Sequence, residues 1–192
     1  MSFSWIGTLI LALLAAAYGA QTARTSAAQP PAQPESLAAF QQVLQVLRHP
    51  RCMNCHVPGN QPLQGDDRHA HTMNVKRGVD GKGTVAMRCS NCHQLENSTT
   101  LHAPPGATDW QMPPAKTPMA WSGLSDGDLC RAIKDPEKNG HRTLPALIPH
   151  MDTSLVTWAW NPGPGRTSPP LSHDEFVNQL KRWIHTGAAC PQ

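Results

Sequence analysis

Two stretches of this chain set cysteine and histidine where they could do chemistry: Arg51-Cys52-Met53-Asn54-Cys55-His56 and Arg88-Cys89-Ser90-Asn91-Cys92-His93. Each is a Cys-x-x-Cys-His motif. On a single turn of chain this spacing presents both sulfurs side by side, where they can add to the two vinyl groups of a heme. The adjacent imidazole then lies beneath the porphyrin and gives a nitrogen to the iron. The pattern predicts Cys52, Cys55, Cys89 and Cys92 as thioethers of two covalently bound c-type hemes, with His56 and His93 as proximal iron ligands.

Two other chemistries use similar residues. Two Cys-x-x-Cys pairs can build a tetrahedral zinc site of four thiolates. That reading makes both trailing histidines coincidences, and with 10 His in 192 residues the odds of two are roughly 1 in 400. A thioredoxin-like redox pair suits one motif but not two, and no βαβ pattern surrounds either.

Each iron has a second axial position. Methionine there raises the reduction potential, a second histidine lowers it, and an open position allows small-molecule chemistry. Several candidates are set aside by their surroundings. Met53 lies inside an attachment loop, His141 in a polar turn, and His173 and His185 at the capped end and solvent side of the last helix. His69, His71, Met73, Met119 and His150 remain. His71 and His150 are the favoured distal ligands, with Met119 and then Met73 as substitutes.

The elements that must position these groups are short. The chain carries 19 Pro and 14 Gly against 3 Phe and 1 Tyr, which predicts a mainly α fold with extensive ordered loop. Ser36 is the expected N-cap of a first helix, whose apolar face is Leu37, Phe40, Val43, Leu44 and Leu47 and whose stop is Pro50. Asp80-Gly81 reads as a turn between the motifs. Ser125 and Asp128 open a helix with Leu129 and Ile133 inward. Ser172 and Glu175 form a capping box for the last helix, with Phe176, Leu180, Trp183 and Ile184 inward and Gly187 at its end. Only 33 residues separate Cys55 from Cys89, too few for a domain of their own. One integrated diheme cytochrome c-like domain over residues 36–192 follows. Cys130 and Cys190 are the cysteines left over, and they are expected to form a disulfide.

Residues 1–20 hold an apolar, Leu- and Ala-rich run of signal-peptide length, although no Lys or Arg precedes Trp5; uncleaved, it would serve as an anchor and the chain's membrane contact. Residues 21–35 read as a Pro/Ala-rich flexible tether. Export to the periplasm agrees with c-type heme attachment. The formal charge of +3 falls toward neutral once heme propionates are added, which leaves no basic footprint for nucleic acid.

Beyond the motifs, the chain resembles a family of exported diheme c-type cytochromes often labelled as the isoquinoline 1-oxidoreductase-associated subunit. The resemblance rests on Pro50 to His56, Gly65-Asp66-Asp67 with His69 and His71, and Met87-Arg88-Cys89. It continues through Met119-Ala120-Trp121, Ile133 to Pro136, His150-Met151, Trp158 to Gly163 and Gly187 to Pro191, across residues 36–191. It implies a redox partner protein, a molybdenum hydroxylase, from which electrons pass toward a respiratory chain. The expected function is electron carriage without a substrate of its own. The alternative is a diheme enzyme, peroxidase-like or acting on another small molecule, with one open iron site and a polar group above it such as His69, Asp66 or Asp67.

Overall fold

The last helix of the chain closes onto the first. In the computed structural model, which describes residues 33–192, α1 (Gln33–Leu47) packs along α6 (His173–His185). Their interface centres on Phe40 and Trp183, ring centroids 5.0 Å apart, both fully buried. Apolar residues recur along α1 at helical spacing, and Ala39, Phe40, Val43, Leu44, Val46 and Leu47 are buried together on one side. The expected signal segment and most of the expected tether lie outside the described residues.

Ser36 does not cap α1. The helix starts at Gln33, three residues earlier, inside the span read as tether, and Ser36 sits in its first turns with no exposure to solvent. Its hydroxyl donates to the Trp183 carbonyl at 3.1 Å and accepts from the Ala189 N–H at 2.9 Å. Without it the Ala189 N–H would have no partner, whereas the Trp183 carbonyl also accepts from the Ala188 N–H at 2.8 Å.

Pro50 ends the run after α1 and also begins α2 (Pro50–Met53), with proline in the first turn where its missing N–H costs nothing. His49 caps that turn, its Nδ1 accepting from the Arg51 N–H at 3.3 Å. Two small hairpins follow, each of two-residue strands: β1 (Leu63–Gln64) with β2 (His69–Ala70), and β3 (Gly83–Thr84) with β4 (Met87–Arg88). The expected turn at Asp80 is present, with the Asp80 carboxylate accepting from the Lys82 N–H at 2.9 Å. At Gly81 the backbone has φ +83°, and any Cβ would stand 2.1 Å from the Met112 carbonyl oxygen. That close approach brings the 108–112 segment against the second motif.

Helix α3 (Asp126–Lys134) is capped by Ser125, whose Oγ accepts from the Asp128 N–H at 3.0 Å. Helix α4 (Leu144–His150) was not expected from sequence because it carries two prolines; Pro145 lies in the first turn, where it is tolerated, and Pro149 close to the end. A short α5 (Ser154–Thr157) and a 3-10 turn over Trp158–Trp160 lead to α6, which has the full Ser172–Glu175 capping box. Phe176, Leu180 and Trp183 are buried on α6, and Ile184 is half-buried. Leu129, Ile133 and Leu147 complete the core from α3 and α4. The Cys130–Cys190 disulfide joins α3 to the C-terminal tail. The fold is mainly α, and among the described residues no helix is long and apolar enough to cross a membrane.

Candidate functional site

Residues 52–56 complete a helical turn. The Cys55 and His56 amides both donate to the Cys52 carbonyl at 3.2 Å, which brings two thiols and an imidazole to one edge of the chain. The second motif repeats the turn, with the Cys92 and His93 amides donating to the Cys89 carbonyl at 3.2 and 2.9 Å.

The two imidazoles are held alike. His56 Nδ1 lies 2.9 Å from the Met119 carbonyl, and His93 Nδ1 lies 2.8 Å from the Pro105 carbonyl. A carbonyl only accepts, so each Nδ1 carries the proton and each Nε2 keeps its lone pair for a metal. His56 stacks on Trp121 with ring centroids 3.5 Å apart and planes within 7°, and His93 stacks on Trp110 at 4.3 Å and 6°. Desolvation pushes His56 down to about 4 despite the Met119 bond, with His150 and Arg77 adding to the fall. It also pushes His93 down to about 4, against the Pro105 bond and with His71 and Arg166 adding. Both rings are neutral at pH 7, the form that ligates iron.

The four motif thiols are free of disulfides. Desolvation, with the neighbouring Cys55, drives Cys52 up to about 12; desolvation, with Cys89, drives Cys55 up to about 11. A disulfide exchanger needs a depressed thiol pKa, so this pair is unsuited to redox exchange. Among the described residues, no three His, Cys, Asp or Glu side chains gather as a metal-binding group, so the thiols do not form the tetrahedral set a structural zinc would use.

Each motif opens on its own cavity. The first, about 650 Å³, is lined by Cys52, Cys55, His56, His150 and Met151. The second, about 460 Å³, is lined by Cys89, Cys92, His93 and His71. Cys55, Arg51 and Trp158 line both. These features fit a heme at each motif: a dithiol turn, an imidazole with Nε2 free, an apolar chamber, and a second histidine on the same chamber.

His71 presents its Nε2, because its Nδ1 is bonded to the Thr72 carbonyl at 2.8 Å; its ring centre lies 6.1 Å from that of His93. His150 ends α4 in the first cavity, half-buried, its pKa lowered to about 4 by desolvation and by Arg142. Met119 lines the same cavity, with its thioether beside Gly140 and its carbonyl taken by His56. Met73 is 69% exposed, with φ +60°, at the rim of the second cavity. Asp66 binds Arg51 and accepts from the Thr167 N–H at 3.1 Å, while Asp67 and His69 pair with each other at 2.6 Å on the surface.

Sequence reasoning missed the carbonyls of Met119 and Pro105, since any residue has one. It also missed Asn97, the residue four beyond His93. The Asn97 Oδ1 accepts from the Gly106 N–H at 3.0 Å and from Trp158 Nε1 at 3.0 Å, which holds the Pro105–Gly106 link in place. The matching positions Asn60 and Asn97 after the two motifs were the available signal. No protein-family model matches the chain, and no match was found among curated proteins or solved structures.

Proposed function

We propose that this chain is an exported diheme c-type cytochrome that accepts electrons from a redox partner protein, a molybdenum hydroxylase in the resembled family, and passes them toward a respiratory chain. The hemes, when bound, supply reversible one-electron chemistry at iron. The chain's own work is holding and shielding. Cys52 and Cys55 would hold one group and Cys89 and Cys92 the other, with His56 and His93 offering an imidazole nitrogen to each iron. The Met119 and Pro105 carbonyls fix each imidazole's tautomer and raise its basicity. Trp121 and Trp110 hold each ring against rotation, and the apolar walls limit water.

The observation that carries this reading is the doubled arrangement: two Cys-x-x-Cys-His turns, each imidazole bonded through Nδ1 and stacked on a tryptophan, each facing a chamber with another histidine. His150 is the proposed distal ligand of the first heme and His71 of the second. Met119 is the less favoured candidate, because its backbone carbonyl already accepts the hydrogen bond from His56 Nδ1. Bis-histidine ligation implies low reduction potentials. The alternative of an open enzymatic iron is less well supported, since the polar groups expected to serve it are engaged: Asp66 by Arg51 and Thr167, and Asp67 and His69 by each other.

The test is low-temperature EPR with near-infrared charge-transfer spectra on the oxidised protein, after its heme content is measured. Two low-spin bis-histidine irons are expected. One stable high-spin iron would replace the carrier reading with the enzymatic one, and absence of covalent heme would end both.

A further inference from the structure

Arg77 is a buried cation without a counter-charge. It is 1% exposed, and its guanidinium donates to four backbone carbonyls: Val57 and Gly59 at 2.8 Å, Pro113 at 2.8 Å and Pro118 at 3.3 Å. Its Nε is unpartnered. No carboxylate pairs with it among the described residues, and residues 1–32 contain no Asp or Glu. Carbonyl dipoles solvate the charge but leave it uncancelled, and arginine keeps its proton at any working pH.

Its position is specific. Val57 follows His56, and Pro118 precedes Met119, whose carbonyl accepts the hydrogen bond from His56 Nδ1. Arg77 therefore pins both partners of that bond. At the second imidazole the same task falls to Asn97, a neutral amide that holds the segment carrying the Pro105 carbonyl. A neutral residue suffices mechanically, so mechanics alone does not account for a buried charge at the first.

We infer that Arg77 is a positioning residue whose fixed charge raises the reduction potential of the first heme above that of the second, making the first the resting place of an electron shared between them. This inference rests on the heme reading. An oxidised heme carries one more positive charge than a reduced one, so an unscreened cation nearby favours reduction. The internal exchange moves one electron, lost by the second heme and gained by the first, with no bond or proton changed. The second cavity has cations too, but Lys76, Arg88 and Arg166 there are partly exposed to solvent, Arg88 being paired with Asp80, and Arg51 is paired with Asp66 and lines both cavities. None of these gives an unscreened charge to one heme alone.

The experiment is a spectroelectrochemical titration of the heme-loaded wild type, Arg77→Lys and Arg77→Gln, each first checked for two covalent hemes by mass. The first heme is identified as the one whose EPR signal survives substitution of His71. Arg77→Gln is expected to lower that midpoint alone and shift electron partition between the hemes by about tenfold, while Arg77→Lys restores it. In the wild type, the gap between midpoints should persist from low to high salt, because a buried charge is not screened. Two loaded hemes with unmoved midpoints in Arg77→Gln, equal shifts of both, or a gap that collapses in salt would overturn the inference and leave the heme reading intact. Should Arg77→Gln not load, the salt dependence and Arg77→Lys decide. Wild-type protein without covalent heme would remove the reading beneath it.

Discussion

The ring centres of His71 and His93 stand 6.1 Å apart across the second cavity, each ring with Nδ1 bonded to a backbone carbonyl. A metal bound by both, at about 2 Å from each nitrogen with roughly 1 Å more to each ring centre, requires about 6 Å. Removal of one ring is then decisive. His71→Ala should turn one of the two irons high-spin and leave the other low-spin. EPR of the oxidised variant checks this, and two unchanged low-spin signals would exclude His71 as a ligand.

The first cavity poses a choice between His150 and Met119. Because the Met119 backbone, not its thioether, serves His56, Met119→Leu should keep both irons low-spin, with no change in near-infrared bands. His150→Ala should open the first iron and allow cyanide to bind it. The opposite pattern would make Met119 the ligand.

Ser36 ties the chain's two ends through the Trp183 carbonyl and Ala189 N–H. Ser36→Ala leaves the Ala189 N–H unpaired, while the Trp183 carbonyl keeps its bond from the Ala188 N–H, and should cost about 1–3 kcal/mol. Urea unfolding followed by tryptophan fluorescence measures it; a loss within error would mean water reaches the site.

The disulfide between Cys130 and Cys190 makes a related prediction. Paired Ser substitutions at both positions should lower stability by about 2–4 kcal/mol, with both cysteines reading as oxidised in intact wild-type mass. An unchanged unfolding midpoint would show that the tail is held by Trp183, whose Nε1 donates to the Ala189 carbonyl at 2.9 Å, without help from the bond.

His56, His93 and His150 each fall to about 4 in the fold, below the ordinary value of 6.5. The unfolded chain then binds more protons between these values, so stability rises with pH across that window. The heme-free chain should therefore be fully stabilised above about 6.5 and weaken as pH falls toward 4. Denaturant midpoints at pH 7 and 4.5 test the sign; equal midpoints would mean these rings are solvated.

Much of the scaffold was legible because its signals are local. Ser172 with Glu175, Ser125 with Asp128, and the spacing of Phe176, Leu180 and Trp183 each concern one helix turn. The disulfide was legible because two cysteines had no other use. The fixing of His56 and His93 was not, since its acceptors are backbone carbonyls 63 and 12 residues downstream. Ser36 misled for the same reason: its hydroxyl serves residues 147 and 153 positions away. Helix α4 was hidden by prolines that sit at its two ends, where they do little harm.

Because α1 is the first described helix and α6 the last, the clasp between Phe40 and Trp183 cannot form until almost the whole chain has emerged. Synthesis and threading both run from N- to C-terminus. Residues 52–93 are thus delivered before α6, which supplies Phe176, Leu180 and Trp183 to the wall of the first cavity. For a period set by the time needed to deliver about ninety further residues, the first cavity lacks that wall and the Cys52 and Cys55 thiols stand on open chain.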